Sequence, residues 1–148
     1  MKRILYFAAV CCMMLGAFTS CEMKEKEIGT LSDMFGRWRN DSNPQQYTVF
    51  YSDVAETGWY WGKEWDEAQG ILEEDLTYHG NGWFKWSKTH DELTEIYVSE
   101  HGNILVPNHY RIDKLNDTTF VYTSFRITQT EYNQEKKVPF RVYHFHRS

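Results

Sequence analysis

From Phe35 onward the chain consists of short runs of β-branched and aromatic residues, separated by Gly, Asn, Asp and Pro. No apolar stripe with the 3.6-residue period of a helix is sustained in this part of the sequence. Runs of this kind are typical of strands. Eight of them are found, at residues 35–40, 45–53, 57–63, 82–88, 92–99, 107–114, 117–128 and 138–146. The sequence therefore predicts an all-β domain.

The connections between these eight runs alternate in length along the chain. Tight connections lie at residues 54–56, 89–91 and 115–116, and longer ones at 41–44, 64–81, 100–106 and 129–137. Successive connections of an up-and-down meander fall at opposite ends, so all the tight turns would lie at one end. This pattern favours an eight-stranded antiparallel up-and-down β-barrel that is closed at one end and open at the other. A β-sandwich is the alternative.

The N-terminal segment precedes the predicted domain and differs from it in composition. A cationic start, Met1 to Arg3, is followed by a mostly apolar segment at 4–18, which is shorter than the ~20 residues of a membrane-spanning helix. Thr19 and Ser20 then precede Cys21, which resembles the cleavage site of bacterial lipoprotein signal peptides. We therefore expect a signal peptide at 1–20 and lipidation of Cys21.

A lipidated Cys21 sets the location and the architecture of the mature protein. We expect a lipidated N-terminus and tether at 21–33, a barrel domain at 34–148, and a location in the cell envelope at the outer membrane. Cys11 and Cys12 fall in the signal peptide, so no thiol pair remains to stabilise the domain. The net charge of −5 and the lack of a long basic run argue against nucleic acid as a partner. We expect a monomer.

Two segments of the sequence carry a family resemblance. Gly36-Arg37-Trp38 looks like the Gly-x-Trp that opens the first strand of lipocalins, and residues 110–120 fit the same layout. With the eight strands and the alternating connections, the range 35–146 resembles the small lipocalin-like lipoproteins of Bacteroidetes-type bacteria. The resemblance implies that Trp38 closes the barrel floor beneath an arginine from the last strand. Arg141 is the first candidate for that arginine, and Arg147 is the second.

The alternation of residues along a strand assigns side chains to the two faces of the sheet. Polar neighbours place three pairs inside the barrel: Phe84 with Trp86, Tyr110 with Ile112, and Phe120 with Tyr122. Ile96 and Val98 lie opposite Glu95, which predicts that these two face inward as well. Trp59 and Trp61 share one face, whereas Trp83 is predicted to point outward or toward the rim.

Five aromatic residues are the predicted binding residues of the barrel interior: Trp59, Trp61, Phe84, Trp86 and Tyr110. In a hollow barrel they would line a pocket for a small apolar or flat ligand, because aromatic walls offer a large contact area. The alternative is a filled barrel in which these side chains are the core, since an eight-stranded interior is narrow.

The sequence contains no familiar catalytic motif, so we expect no enzymatic activity and no cofactor. His144 and His146 share a strand face but lack a third ligand, so we expect no metal site. The segment 64–81 is rich in Asp and Glu, and we interpret it as a solvated face or as an acidic lid over the open end.

These features favour a lipid-anchored, non-enzymatic binding protein whose partners are the membrane and a small apolar or flat molecule. One alternative is a carbohydrate-binding surface lipoprotein that stacks sugars on exposed tryptophans such as Trp65 and Trp83. Another is a protein-interaction module that uses the long loops.

Overall fold

The computed structural model describes residues 27–69, 82–99, 101–129 and 132–148. The predicted signal peptide 1–20 and the predicted lipidation site Cys21 lie outside the described residues. The elements are the short helix α1 (Leu31–Met34) and the strands β1 (Gly36–Asn40), β2 (Gln46–Glu56), β3 (Trp59–Asp66), β4 (Trp83–Thr89), β5 (Glu92–Tyr97), β6 (Asn108–Leu115), β7 (Thr119–Gln129) and β8 (Glu135–Arg147). A 3₁₀ turn at Glu67–Gln69 follows β3.

The eight strands form one antiparallel sheet that closes on itself. Each strand pairs with its neighbour in sequence, and β8 returns to pair with β1, where Trp38 lies opposite Arg147. The closure leaves no free sheet edge between the first and last strands. The predicted eight-stranded antiparallel barrel is therefore confirmed, and the sandwich alternative is wrong.

The tight turns lie together at one end of the barrel, as predicted from the alternation of connection lengths. They occupy residues 57–58, 90–91 and 116–118, and the strand ends that the longer connections join lie at the other end. The first tight turn comes later than predicted because β2 continues to Glu56, and Gly58 adopts the left-handed conformation with φ of +80° that suits glycine.

The last hairpin is longer than the sequence predicts. Strands β7 and β8 remain paired out to Gln129 and Glu135, beyond a register shift that follows Ser124. Pro139 sits next to this shift, opposite Phe125, where a residue without an N–H group is tolerated. The predicted start of the last strand at residue 138 was therefore too late.

The closed end is built around Trp38, which is fully buried and whose indole Nε1 donates a hydrogen bond to the Met34 carbonyl over 2.9 Å. The Arg147 guanidinium carbon lies 3.9 Å from the centre of a Trp38 ring. The same guanidinium donates to the carbonyls of Asp33 over 2.7 Å and of Phe35 over 2.5 Å. It therefore fixes α1 and the start of β1 to the end of β8.

This geometry corrects the first candidate for the floor arginine. Arg141 lies six positions before Arg147 on β8, toward the open end, with its guanidinium 5.7 Å from the Phe140 ring and 5.9 Å from the Tyr143 ring. The register of β1 against β8 places Arg147, the second candidate, directly across from Trp38. Trp38 itself occupies the floor position that the resemblance implies.

The fold also begins earlier than predicted. Ile28 is 9% exposed and belongs to the hydrophobic core, and the Leu115 amide donates to the Glu27 carbonyl over 2.5 Å. Residues 27–33, which the sequence analysis assigned to the tether, therefore pack against the closed end of the barrel.

Candidate ligand-binding site in the open half of the barrel

The closed half of the barrel is filled by its own aromatic side chains. The Phe50 ring makes edge contacts with Phe84 at 5.6 Å, with Trp86 at 5.2 Å and with Phe120 at 5.9 Å between ring centres. A Cβ atom added to Gly62 would lie 2.3 Å from the Phe84 ring, so the glycine is what lets this ring approach β3. Phe84 and Trp86 are therefore core residues, in agreement with the filled alternative.

The open half has a different lining, which is rich in tyrosine. The rings of Tyr122 and Tyr143 stack with their centres 4.9 Å apart, and Tyr110 makes an edge contact with Tyr122 at 5.0 Å. The Phe145 ring also stacks on Tyr122, with the two ring centres 5.6 Å apart. Tyr97 faces inward on β5 and contacts the Phe84 ring at 5.5 Å. Four tyrosines thus face the open half: Tyr97, Tyr110, Tyr122 and Tyr143.

Two carboxyl groups are joined by a tyrosine hydroxyl in this half. The Tyr97 hydroxyl oxygen lies 2.6 Å from Glu64 Oε1 and 3.2 Å from Glu95 Oε2. A phenol carries one proton, so the two carboxyl groups share one donor. The shorter distance makes Glu64 the main acceptor of the Tyr97 hydroxyl, and Glu95 Oε2 is the weaker acceptor.

The protonation of Glu95 has a clear physical cause. Its side chain is 3% exposed, and burial together with repulsion from Glu64 raises the pKa of Glu95 to about 8, against a smaller lowering effect of the Tyr97 hydrogen bond. Burial and the nearby carboxylates also raise the pKa values of Tyr97, Tyr110 and Tyr122, which stay neutral at physiological pH. Glu95 therefore keeps its proton at neutral pH.

Two cavities open into this region. The first, which we call the mouth cavity, has a volume of about 520 Å³, and its lining includes Asn40, Thr48, Glu64, Asp66, Tyr122, Tyr143 and Phe145. The second, the side cavity, has a volume of about 610 Å³, and its lining combines Tyr110 and Tyr143 with residues of the outer face that include Glu92, His109 and Arg111. Both volumes lie in the range of small-molecule sites, and both cavities reach Tyr143.

The structure separates the five predicted binding residues. Three of them face the interior as predicted: Phe84, Trp86 and Tyr110. Tyr110 lines the side cavity, whereas Phe84 and Trp86 belong to the packed core. Trp59 and Trp61 are on the outer face, because Tyr60 between them packs against Phe35 and Trp86 in the core. The predicted placement of Trp59 and Trp61 in the barrel interior is therefore wrong.

The face assignment on β5 is also reversed. Leu93 and Glu95 are buried, and Tyr97 shares their face, so Ile96 points away from the interior. The sequence predicts Glu95 on the outside because charged side chains normally face solvent. Glu64 is exposed at the mouth, and its link to Glu95 was missed because it was counted with the acidic segment 64–81, although it continues the inward series of Tyr60 and Gly62.

The outer face of strands β1 to β4 carries rows of aromatic rings and cations. The Lys63 ammonium lies 4.3 Å from the Trp65 ring centre and 5.1 Å from that of Trp83, and Tyr51 stacks on Trp83 at 5.6 Å. Trp65 is 5% exposed and Trp83 is 2% exposed. Neither offers an open face to a sugar, so these two tryptophans do not form a stacking platform, and the carbohydrate alternative stays a prediction. Trp83 does lie on the outer face, as predicted.

Among the described residues, no group of three or more His, Cys, Asp or Glu side chains is arranged to hold a metal ion. Within the same residues, no helix has the length and apolar character needed to cross a membrane. Comparison of the chain with protein-family models, with curated proteins and with solved structures gave no match.

Proposed function

We propose that this protein is a lipid-anchored, non-enzymatic binding protein of the bacterial cell envelope, and that it holds a small ligand with a flat or apolar face in the open half of its barrel. The observation that carries the proposal is the tyrosine-lined space around Tyr143, which both cavities reach. Because the closed half is filled by Phe50, Phe84 and Trp86, a ligand would sit near the mouth.

The position of Glu27 and Ile28 supports an orientation of the barrel relative to the membrane. Glu27 and Ile28 contact Leu115 at the closed end of the barrel, and a lipid on Cys21 would lie only a few residues before them. The closed end would then face the membrane, and the open end would face away from it. Such an orientation leaves the mouth accessible to ligands in the surrounding compartment.

The ligand proposal is tested by native mass spectrometry of the full chain, extracted gently and incubated with envelope lipids and glycans. We expect a small-molecule adduct that is lost in Tyr143→Ala, because this side chain borders both cavities. Val142→Ala is the matched control, since Val142 is the preceding residue on the outer face and is 50% exposed. Near-ultraviolet circular dichroism checks that both variants stay folded.

The absence of any adduct under all conditions would contradict ligand binding. In that case the exposed apolar residues at the open end would direct attention to a protein partner. They are Ile104, Leu105, Val106, Ile127, Tyr132 and Phe140. The interpretation as a protein-interaction module stays a prediction.

The anchoring proposal is tested by Cys21→Ser. We expect the wild-type protein in the membrane fraction and the variant in the soluble fraction, because the thiol that would carry the acyl chains is gone. Ser20→Ala is the control, since it keeps a small residue before Cys21 and should leave the protein membrane-bound. Membrane retention of Cys21→Ser after a high-salt wash would contradict lipid anchoring.

A further inference from the structure

Among the described residues, the mouth cavity is lined by two carboxyl groups, Glu64 and Asp66, and by one cation, Lys63. The titratable groups that face Glu95 are Glu64 from β3, Tyr97 from its own strand, Tyr110 from β6 and Tyr122 from β7. The neighbouring β4 faces it with Trp86. On β8, Tyr143 lies beyond Tyr122, and the Arg141 guanidinium rests near the rings of Phe140 and Tyr143.

An enclosed carboxyl without a cationic partner is costly to ionise, and perturbed acids of this kind concentrate at functional sites. Among the described residues, the charge that acts on Glu95 is the like charge of Glu64. The rim cation Lys63 is engaged with the rings of Trp65 and Trp83 on the outer face. Lys63 also lines the mouth cavity, but the two carboxyl groups of Glu64 and Asp66 outnumber it among the described lining residues, which favours a positively charged ligand.

The mouth cavity has the second feature that a cationic organic molecule requires. Tyr122, Tyr143 and Phe145 present a continuous stack of rings beside Glu64 and Asp66. Aromatic faces attract cations and pack against flat apolar groups, and carboxylates pair with ammonium groups. The volume of about 520 Å³ accommodates a compound larger than a metal ion or a simple ammonium.

We propose that the mouth cavity binds a protonated amine carried on a flat apolar body, with the ammonium group against Glu64 and Asp66 and the flat body against Tyr122 and Tyr143. This inference rests on the proposed ligand-binding function and names the chemical class of the ligand. It excludes anionic ligands of the same shape, because Glu64 and Asp66 would repel them.

Binding of such a cation is coupled to a proton on Glu95. The negative charge of Glu64 contributes to keeping Glu95 protonated, and an ammonium group placed against Glu64 offsets that repulsion. The pKa of Glu95 then falls, so Glu95 releases part of its proton to the buffer while the ligand keeps its own. Glu95 acts here through Glu64 and Tyr97, so it is a positioning residue for the site.

The test is isothermal titration calorimetry on the full chain with three indole probes of one shape: tryptamine, which is cationic, tryptophol, which is neutral, and indole-3-acetate, which is anionic. We expect tryptamine to bind at least about tenfold more tightly than the other two. Its affinity should rise from pH 6 to pH 8, by up to about tenfold per pH unit for one released proton. The amine, with a pKa of about 10, stays protonated over that range.

Two variants separate the roles of the carboxyl groups. Glu64→Gln should abolish the preference for tryptamine over tryptophol. Glu95→Gln should keep that preference but lose the pH dependence and the proton release, which titrations in buffers of different ionisation enthalpy measure. Glu135→Gln, at an exposed position of β8, is the matched control and should behave as the wild type.

The outcomes distinguish this inference from the proposed function. Equal binding of the three probes, or tighter binding of indole-3-acetate, overturns the assignment of a cationic ligand. No binding of any probe, together with an adduct from envelope extracts in native mass spectrometry, overturns it as well but leaves the binding function standing. No probe binding and no adduct would contradict both.

Discussion

Replacing Arg147 by alanine is expected to lower the free energy of unfolding by about 2–4 kcal/mol. The guanidinium lies 3.9 Å from the Trp38 ring centre and donates to the carbonyls of Asp33 and Phe35. Removing it leaves both carbonyl groups without these donors and takes the cation from a fully buried tryptophan. Urea denaturation followed by tryptophan fluorescence measures the loss.

The matched control is Arg141→Ala on the same strand. Arg141 is exposed near the open end and lies over the rings of Phe140 and Tyr143, so its removal should change the stability by no more than about 0.5 kcal/mol. Arg147→Lys keeps the charge but loses the planar fork that reaches two carbonyls, and it should fall between the two alanine variants. Equal losses for Arg141→Ala and Arg147→Ala would contradict the structure of the closed end.

The barrel was predictable from the sequence because its signals are local. The eight runs and the alternating connection lengths are visible in the chain itself, and they determine an up-and-down order once one sheet is assumed. The floor arginine was harder to predict. The last predicted strand ended at His146, which placed Arg147 outside the sheet, whereas the pairing of Trp38 with Arg147 depends on how β8 closes against β1. That register is a property of the complete barrel.

The faces of β3 illustrate a second physical limit. Trp59, Tyr60 and Trp61 are all aromatic, so the alternation offers no polar neighbour that would identify the inner side. The sequence does hold one signal, which is Gly62. A glycine on the inner face leaves the space that the Phe84 ring fills, and this places Tyr60, two positions away, inside as well.

The candidate site was harder to predict than the fold because its key residue breaks the usual rule for charged side chains. Glu95 can lie inside the barrel because it is protonated there, and a neutral carboxyl group is far less costly to bury than a carboxylate. Glu64 on β3 is linked to Glu95 through the hydroxyl group of Tyr97, and Glu64 and Glu95 are far apart in the sequence. No pattern within either strand predicts such a pairing.

The buried carboxyl group of Glu95 is expected to make the free energy of unfolding depend strongly on pH. The pKa of Glu95 is raised from 4.5 to about 8 in the folded protein, so the folded state binds one more proton than the unfolded state between these values. The stabilising contribution is therefore complete below pH 4.5 and is lost as the pH rises toward 8. The slope approaches the one-proton limit of about 1.4 kcal/mol per pH unit.

Glu95→Gln is expected to remove this slope. The glutamine amide imitates the protonated acid, since it is neutral and its oxygen accepts from the Tyr97 hydroxyl, so the variant should match the wild type within about 1 kcal/mol at pH 5. At pH 8.5 it should be more stable than the wild type by about 2–4 kcal/mol, because the wild type then carries a buried carboxylate beside Glu64. Urea unfolding at half-unit pH steps gives the difference curve.

The difference between the two curves isolates Glu95, because every other titrating group is common to both proteins. Glu64→Gln sharpens the test: it removes the neighbouring charge but leaves burial, which is the largest cause of the raised pKa. Its slope should therefore persist but end at a lower pH. Parallel curves for the wild type and Glu95→Gln would mean that Glu95 ionises as an ordinary exposed glutamate, and the proton held inside the open half would then not exist.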